Sequence, residues 1–223
     1  MTTEPQVLVG EVRETAQRII DKYPNSRSAT LPLLFLVQSV EGYVTEQGMR
    51  EVADMLGLTS AQVLSSGSFY TMLKKHPHGD YLISVCRNIS CTHRGARKVV
   101  QAFEERLGVG VGGTTPDGRC TLETAECLAT CDGAPAVQVN YEDFYDVKPE
   151  DVGEIVDRIE RGALTSSRGE AVKTHKEISF ETATVGLRSP GTAGDHTGRT
   201  LGGEALRPDT SPGIRRPELG GGA

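Results

Sequence analysis

Four cysteines fall into two tight pairs, Cys86-x4-Cys91 and Cys127-x3-Cys131, with 35 residues between the pairs. Thiolates grouped in this way hold soft metal ions. Two close pairs, on two loops that folding brings together, can give two ligands to each iron of a rhombic [2Fe–2S] cluster. Structural zinc also uses four cysteines, but its ribbon knuckles usually have two-residue gaps, tighter than the gaps of four and three here. Two disulfides satisfy the spacing but suit a reducing compartment badly. A plant-type ferredoxin run needs a third cysteine at position 94, where Arg94 stands. A Rieske centre needs two histidines, and only His93 lies beside a pair, so it reads as a loop surface residue. Cys120 and Leu122 alternate with Arg119, Thr121 and Glu123, so Cys120 reads as a small buried hydrophobe and is left out of the ligand set.

The flanks of the pairs suit an anionic centre. A helix starting near Arg94 would aim its free N–H groups back at the Cys91 loop. Gly95 and Gly133 would let backbone approach cluster sulfurs closely, and Pro135 would stiffen the exit of the second loop.

Three segments position these residues. Residues 1–79 read as a helical bundle. Val12, Ala16, Ile19, Ile20 and Tyr23 recur at helical spacing until Pro24, and the stretch from Leu31 to Val40 is apolar almost all round, so it belongs at the bundle centre. Thr45 can cap a third helix with the stripe Met49, Val52, Ala53 and Leu56, ended by Gly57. Ser60 can cap a fourth, Ser66-Gly67-Ser68 reads as a loose turn, and Ser68 to Lys75 reads as a fifth helix. Residues 80–162 change rhythm to an α/β order: a strand at 81–85 running into Cys86, a helix over 96–107, a turn at Pro116-Asp117-Gly118, a strand from Cys120, a strand at 136–140 and a closing helix around Val152 to Ile159. In residues 163–223, Leu, Ile, Val and Phe number only 10, against 11 glycines and 4 prolines. That composition predicts a disordered tail, read either as a solvated extension without a role or as carrying a docking strip of Ile178, Phe180, Val185 and Leu187.

Composition removes several function classes. The longest apolar run, Leu31 to Val37, is far too short to span a bilayer, and the N-terminus lacks the basic and apolar regions of a signal peptide, so a cytoplasmic setting without direct membrane insertion is expected. The net charge is −6, and residues 1–162 carry 16 Lys and Arg against 23 Asp and Glu, which predicts no nucleic-acid partner. Ala53, Gly57 and Val63 have helix-turn-helix spacing, so a zinc- or cluster-containing DNA-binding regulator is an alternative, although no phosphate clamp accompanies it. Gly108 to Gly113 imitates a dinucleotide loop but follows a helix rather than a strand. No nucleophile–base pair stands out, and His76 and His78 read as solvated surface.

Cys86-x4-Cys91, Arg94-Gly95-Ala96, Asp117-Gly118-Arg119 and Glu126-Cys127-Leu128-x2-Cys131-x2-Ala134-Pro135 together resemble the thioredoxin-like [2Fe–2S] ferredoxins, and more narrowly the E-type subunits of bacterial NADH–quinone oxidoreductase, respiratory complex I. Leu31-Pro32-Leu33-Leu34, Gly42-Tyr43-Val44 and Phe69-Tyr70-Thr71 are similar to that group's N-terminal helices, and the likeness covers roughly residues 11–162. The resemblance implies an N-terminal helical bundle followed by a thioredoxin-like domain. It also implies one [2Fe–2S] cluster on Cys86, Cys91, Cys127 and Cys131, and a role as an electron-transfer subunit without a complete active site of its own. FMN and NADH would sit on a flavoprotein partner among further complex I subunits, in a peripheral arm. The alternative assembly is the diaphorase module of an NAD-linked hydrogenase or formate dehydrogenase.

Overall fold

The computed structural model describes residues 6–166 and 169–187. In chain order the helices of the first part are α1 (Gly10–Ile20), α2 (Thr30–Glu41), α3 (Glu46–Leu56) and α4 (Ser60–Phe69). Then come β1 (Tyr81–Cys86), α5 (Ile89–His93), α6 (Ala96–Leu107), β2 (Cys120–Ala125), β3 (Val137–Val139), β4 (Glu142–Phe144), α7 (Val152–Glu160) and α8 (His175–Thr184). The described residues form two compact units: those within 79–174 make one, and 6–78 together with 175–187 make the other.

The helical unit is built around α2, where Leu33, Leu34, Leu36 and Val37 are all buried, as its unbroken apolar run requires. Thr45 caps α3 by accepting the Gly48 N–H at 3.0 Å, and Gly57 ends it at φ +66°. The cap of α4 is Thr59 rather than Ser60: its hydroxyl accepts from Gln62 N–H while the Gln62 side chain accepts from Thr59 N–H. That reciprocal box carries α4 through Ser66-Gly67-Ser68 to Phe69, so neither the loose turn nor a fifth helix over 68–75 forms. Gly67 stays helical because it is buried against Leu34 and Met49. Beyond Phe69 the chain turns, with Leu73 N–H on Tyr70 O and Lys74 N–H on the Gln38 side-chain oxygen at 2.7 Å.

The reading of 163–223 as a disordered tail fails for its first part. Residues 175–184 form α8, which packs on α2. Its buried face is His175, Ser179 and Ala183. Of the expected docking strip, Phe180 and Val185 are exposed, and Leu187 packs against the helical core. His78 is not simply solvated either: its Nε2 lies 2.9 Å from Nδ1 of the buried His175. Burial and the proximity of His78 lower the His175 pKa to about 3, so that ring is neutral. The remainder of the tail, residues 188–223, lies outside the described residues.

The second unit has a four-stranded sheet in the order β2-β1-β3-β4. β1 runs parallel to β2 from Tyr81↔Cys120 to Cys86↔Ala125, and antiparallel to β3 with Val85 opposite Val137. β3 and β4 form a hairpin whose turn residues, Asn140 and Tyr141, both have positive φ. Ile83, Val85, Val99, Phe103, Leu122, Ile155 and Ile159 form the buried core between sheet and helices. This is the expected α/β arrangement after a helical bundle, with β4 and the one-turn α5 as additions.

Candidate metal centre

The topology collects the cysteine pairs at one end of the sheet. β1 and β2 are parallel, so Cys86 and the segment leaving Ala125 emerge together. β3 runs the other way, so the segment entering Val137 begins at that same end. Cys86 N–H extends the sheet by donating to Ala136 O at 3.0 Å, and Arg87 N–H donates to Ala125 O at 2.9 Å. The Asn88 side chain then accepts the Ile89 N–H at 2.7 Å to start α5, and the Thr92 hydroxyl donates to Arg87 O at 2.7 Å. This turn folds Cys91 back on Cys86: both are buried, and each thiol lies within electrostatic reach of the other.

Burial pushes the Cys91 thiol up to about 11; Cys86 and Cys131 push it the same way, and a backbone contact with Ala136 pulls it down. At neutral pH that thiol is protonated, so an arriving metal must displace its proton. Cys131 begins a 3-10 turn, Cys131–Gly133, and is exposed within electrostatic reach of Cys91. Cys127 is exposed, and its Sγ accepts the N–H of Ala129 at 3.3 Å. The structure therefore packs Cys86 and Cys91 together in the interior, holds Cys131 within electrostatic reach of Cys91, and leaves both Cys131 and Cys127 exposed. Among the described residues, no three His, Cys, Asp or Glu side chains surround a single metal position. His93 is exposed. Cys120 is buried opposite Tyr81, five residues along the strand pair from Cys86, about 16 Å at the usual strand rise.

Within the protein itself the two glycines serve different ends. An added Cβ on Gly95 would meet nothing, and its role is the φ of +102° that turns the chain into α6. A Cβ on Gly133 would fall 2.5 Å from Tyr145 Cδ1, so its missing side chain makes room for an aromatic ring. Two further residues take parts that the sequence did not announce. Arg94 ties the loops together, its Nε donating to Ala134 O at 2.7 Å and its guanidinium lying 3.4 Å from Asp146. Thr130 Oγ1 is buried without a hydrogen-bond partner. Both roles arise from contacts 40 residues apart or from burial, which local pattern does not encode. Arg94→Met is expected to cost roughly 1 kcal/mol, since the guanidinium is largely exposed and water replaces part of the loss; urea unfolding measures it.

Thiol reactivity follows the same geometry. The thiolate is the nucleophile, and burial holds the Cys120 thiol at about 11. In metal-free protein at about pH 8, near the usual thiol range, iodoacetamide is expected to modify Cys127 and Cys131 first, and Cys120 only on unfolding. Peptide mass spectrometry reads the order.

A cleft of about 580 Å³ opens beside Cys86, lined in part by Arg87, Arg97, Val100 and Glu126. Arg87 and Glu126 are paired across it. Among the described residues, no helix is long and apolar enough to cross a membrane.

Residues 16–160 match the protein family described as thioredoxin-like [2Fe-2S] ferredoxin. The E-type NADH-quinone oxidoreductase subunit of Mycobacterium tuberculosis is 45% identical over 155 residues, which are 70% of this chain and 62% of that one. The chain thus spans less than two thirds of the length of that relative. The corresponding subunit from Pseudomonas aeruginosa is 31% identical over 155 residues, covering 70% of this chain and 93% of that one. Among solved structures, a thioredoxin-like [2Fe-2S] ferredoxin from Aquifex aeolicus aligns at 29% identity and a TM-score of 0.35, over 43% of this chain and 93% of that one.

Proposed function

This chain belongs to the thioredoxin-like [2Fe-2S] ferredoxin family, and on that premise we propose that it is a one-electron carrier in an NADH–quinone oxidoreductase, holding one [2Fe–2S] cluster beside a partner subunit that binds FMN and NADH. The observation that carries the reading is the arrangement of Cys86, Cys91 and Cys131 at the sheet end from which the Cys127 loop also springs. The donor set fits the group: four thiols, two per loop, and a buried hydroxyl lacking a partner. When bound, the cluster supplies a one-electron redox couple.

The chain's own residues prepare that site. Cys86 and Cys91 are held in place by strand pairing and the α5 turn, while Cys131 is fixed by the loop that Arg94 ties down. Cys127 completes the set by turning inward from the surface and releasing Ala129 N–H. In this role the chain works in the peripheral arm of the complex and makes no membrane contact of its own.

Metal and sulfide content, with a visible spectrum, tests the site: two irons and two sulfides per chain support it, while zinc or a colourless anaerobic preparation given ample iron and sulfide defeats it. Co-purification tests the assembly. A large membrane complex with quinone reductase activity is expected, and a soluble complex with hydrogenase or formate dehydrogenase activity would reassign the chain to that kind of assembly.

A further inference from the structure

Thr130 stands between the left-handed Ala129 and Cys131, at the start of the 3-10 turn, yet its side chain makes no capping bond there. Its Oγ1 is buried with no hydrogen-bond partner. Four carbonyls of the same loop are already engaged. Thr130 O accepts Gly133 N–H at 3.1 Å, Gly133 O accepts Asp146 N–H at 2.7 Å, Pro135 O accepts Val147 N–H at 3.0 Å, and Ala134 O accepts Arg94 Nε at 2.7 Å. A hydroxyl kept from water without a partner is destabilising. A threonine here is therefore an expense unless something arrives at the loop that accepts its proton.

We infer that Thr130 is a positioning residue for the iron–sulfur centre, and that its hydroxyl donates a hydrogen bond to a sulfur of the cluster. This rests on the proposed function. Sulfide and thiolate sulfurs are acceptors and have no hydrogen to give, so the only side-chain group Thr130 can offer them is its O–H. The centre gains a negative charge on reduction, and a donor to sulfur stabilises the reduced form more than the oxidised form. Thr130 thus raises the reduction potential, offsetting part of the effect of the acidic chain.

The test uses the full chain with its cluster, and compares the unaltered protein with T130V, which keeps the shape and loses the donor, and T130S, which keeps the donor. T130V is expected to retain two irons per chain while its one-electron equilibrium shifts about tenfold towards the oxidised form, which is about 59 mV lower by the one-electron conversion. T130S is expected within about twofold of the unaltered protein. Pulsed EPR of the reduced proteins in H2O and D2O is expected to lose one exchangeable-proton coupling in T130V and keep it in T130S. T130A serves as the donor-less variant if T130V does not assemble. A donor-less variant with unaltered potential and couplings overturns the inference, and so does a T130S protein shifted as far as T130V. An unaltered chain that takes up no iron and sulfide defeats the underlying reading instead, so the two failures are distinguishable.

Discussion

Cys86→Ser and Cys131→Ser proteins are expected to come out nearly colourless, or with a strongly altered spectrum, while Cys120→Ser keeps two irons and two sulfides per chain. Each iron of a two-iron cluster takes two protein thiolates, and a serine hydroxyl is a much poorer donor to a soft metal at neutral pH. Cys86 and Cys131 come from different loops, so losing either strips one ligand from one of the two proposed pairs. Cys120 shares the residue type but lies at the far end of β1 and β2, where strand geometry puts it out of reach. Its replacement instead buries a hydroxyl in an apolar core and costs about 1–3 kcal/mol, visible as a lower urea midpoint with the spectrum intact. Iron and sulfide assays with EPR decide between these outcomes. A Cys120→Ser protein without cluster, beside a Cys131→Ser protein with one, would reverse the ligand assignment.

The contrast between Cys120 and the other four was legible because strand alternation and pair spacing are local properties. The same holds for α2, whose apolar circumference announces a central helix, and for α3, with Thr45 and Gly57 at its ends. What escaped was written in long-range terms. β4 is Glu142-Asp143-Phe144, two acids and one buried ring, and it forms because Asn140 and Tyr141 take the positive φ of a tight hairpin and because β3 offers a free edge. α4 outruns Ser66-Gly67-Ser68 because Leu34 and Met49 cover Gly67, a contact no window around residue 67 contains. At the cysteine site, spacing proposed the thiols but could not say which would lie buried and which would face water. That depends on the α5 turn and on Arg94, both matters of tertiary hydrogen bonding.

Removing α8 tests the largest of these departures: a chain ended at Thr174 is expected to lose about 2–4 kcal/mol in the helical unit while binding iron and sulfide as the full chain does. The apolar residues of this stretch suggested a strip on a disordered tail, but α8 docks through its small and polar face. Gln38, fully buried on α2, donates from Nε2 to Ser179 Oγ at 3.0 Å and to Met72 O at 3.2 Å, and accepts Lys74 N–H on Oε1. Ser179 in turn donates to His175 O at 2.8 Å. Without α8 the Gln38 amide keeps only part of its bonding, and the apolar surface that α8 covers on α2 opens to water. Two variants separate these contributions. Ser179→Ala deletes one acceptor and should cost about 1 kcal/mol. Gln38→Leu in the shortened chain removes the stranded amide and should recover part of the loss. Because the four cysteines of the proposed site belong to the other unit, iron content reports on them independently. A shortened chain that unfolds at the same urea concentration as the full one would show that α8 contributes nothing to the bundle.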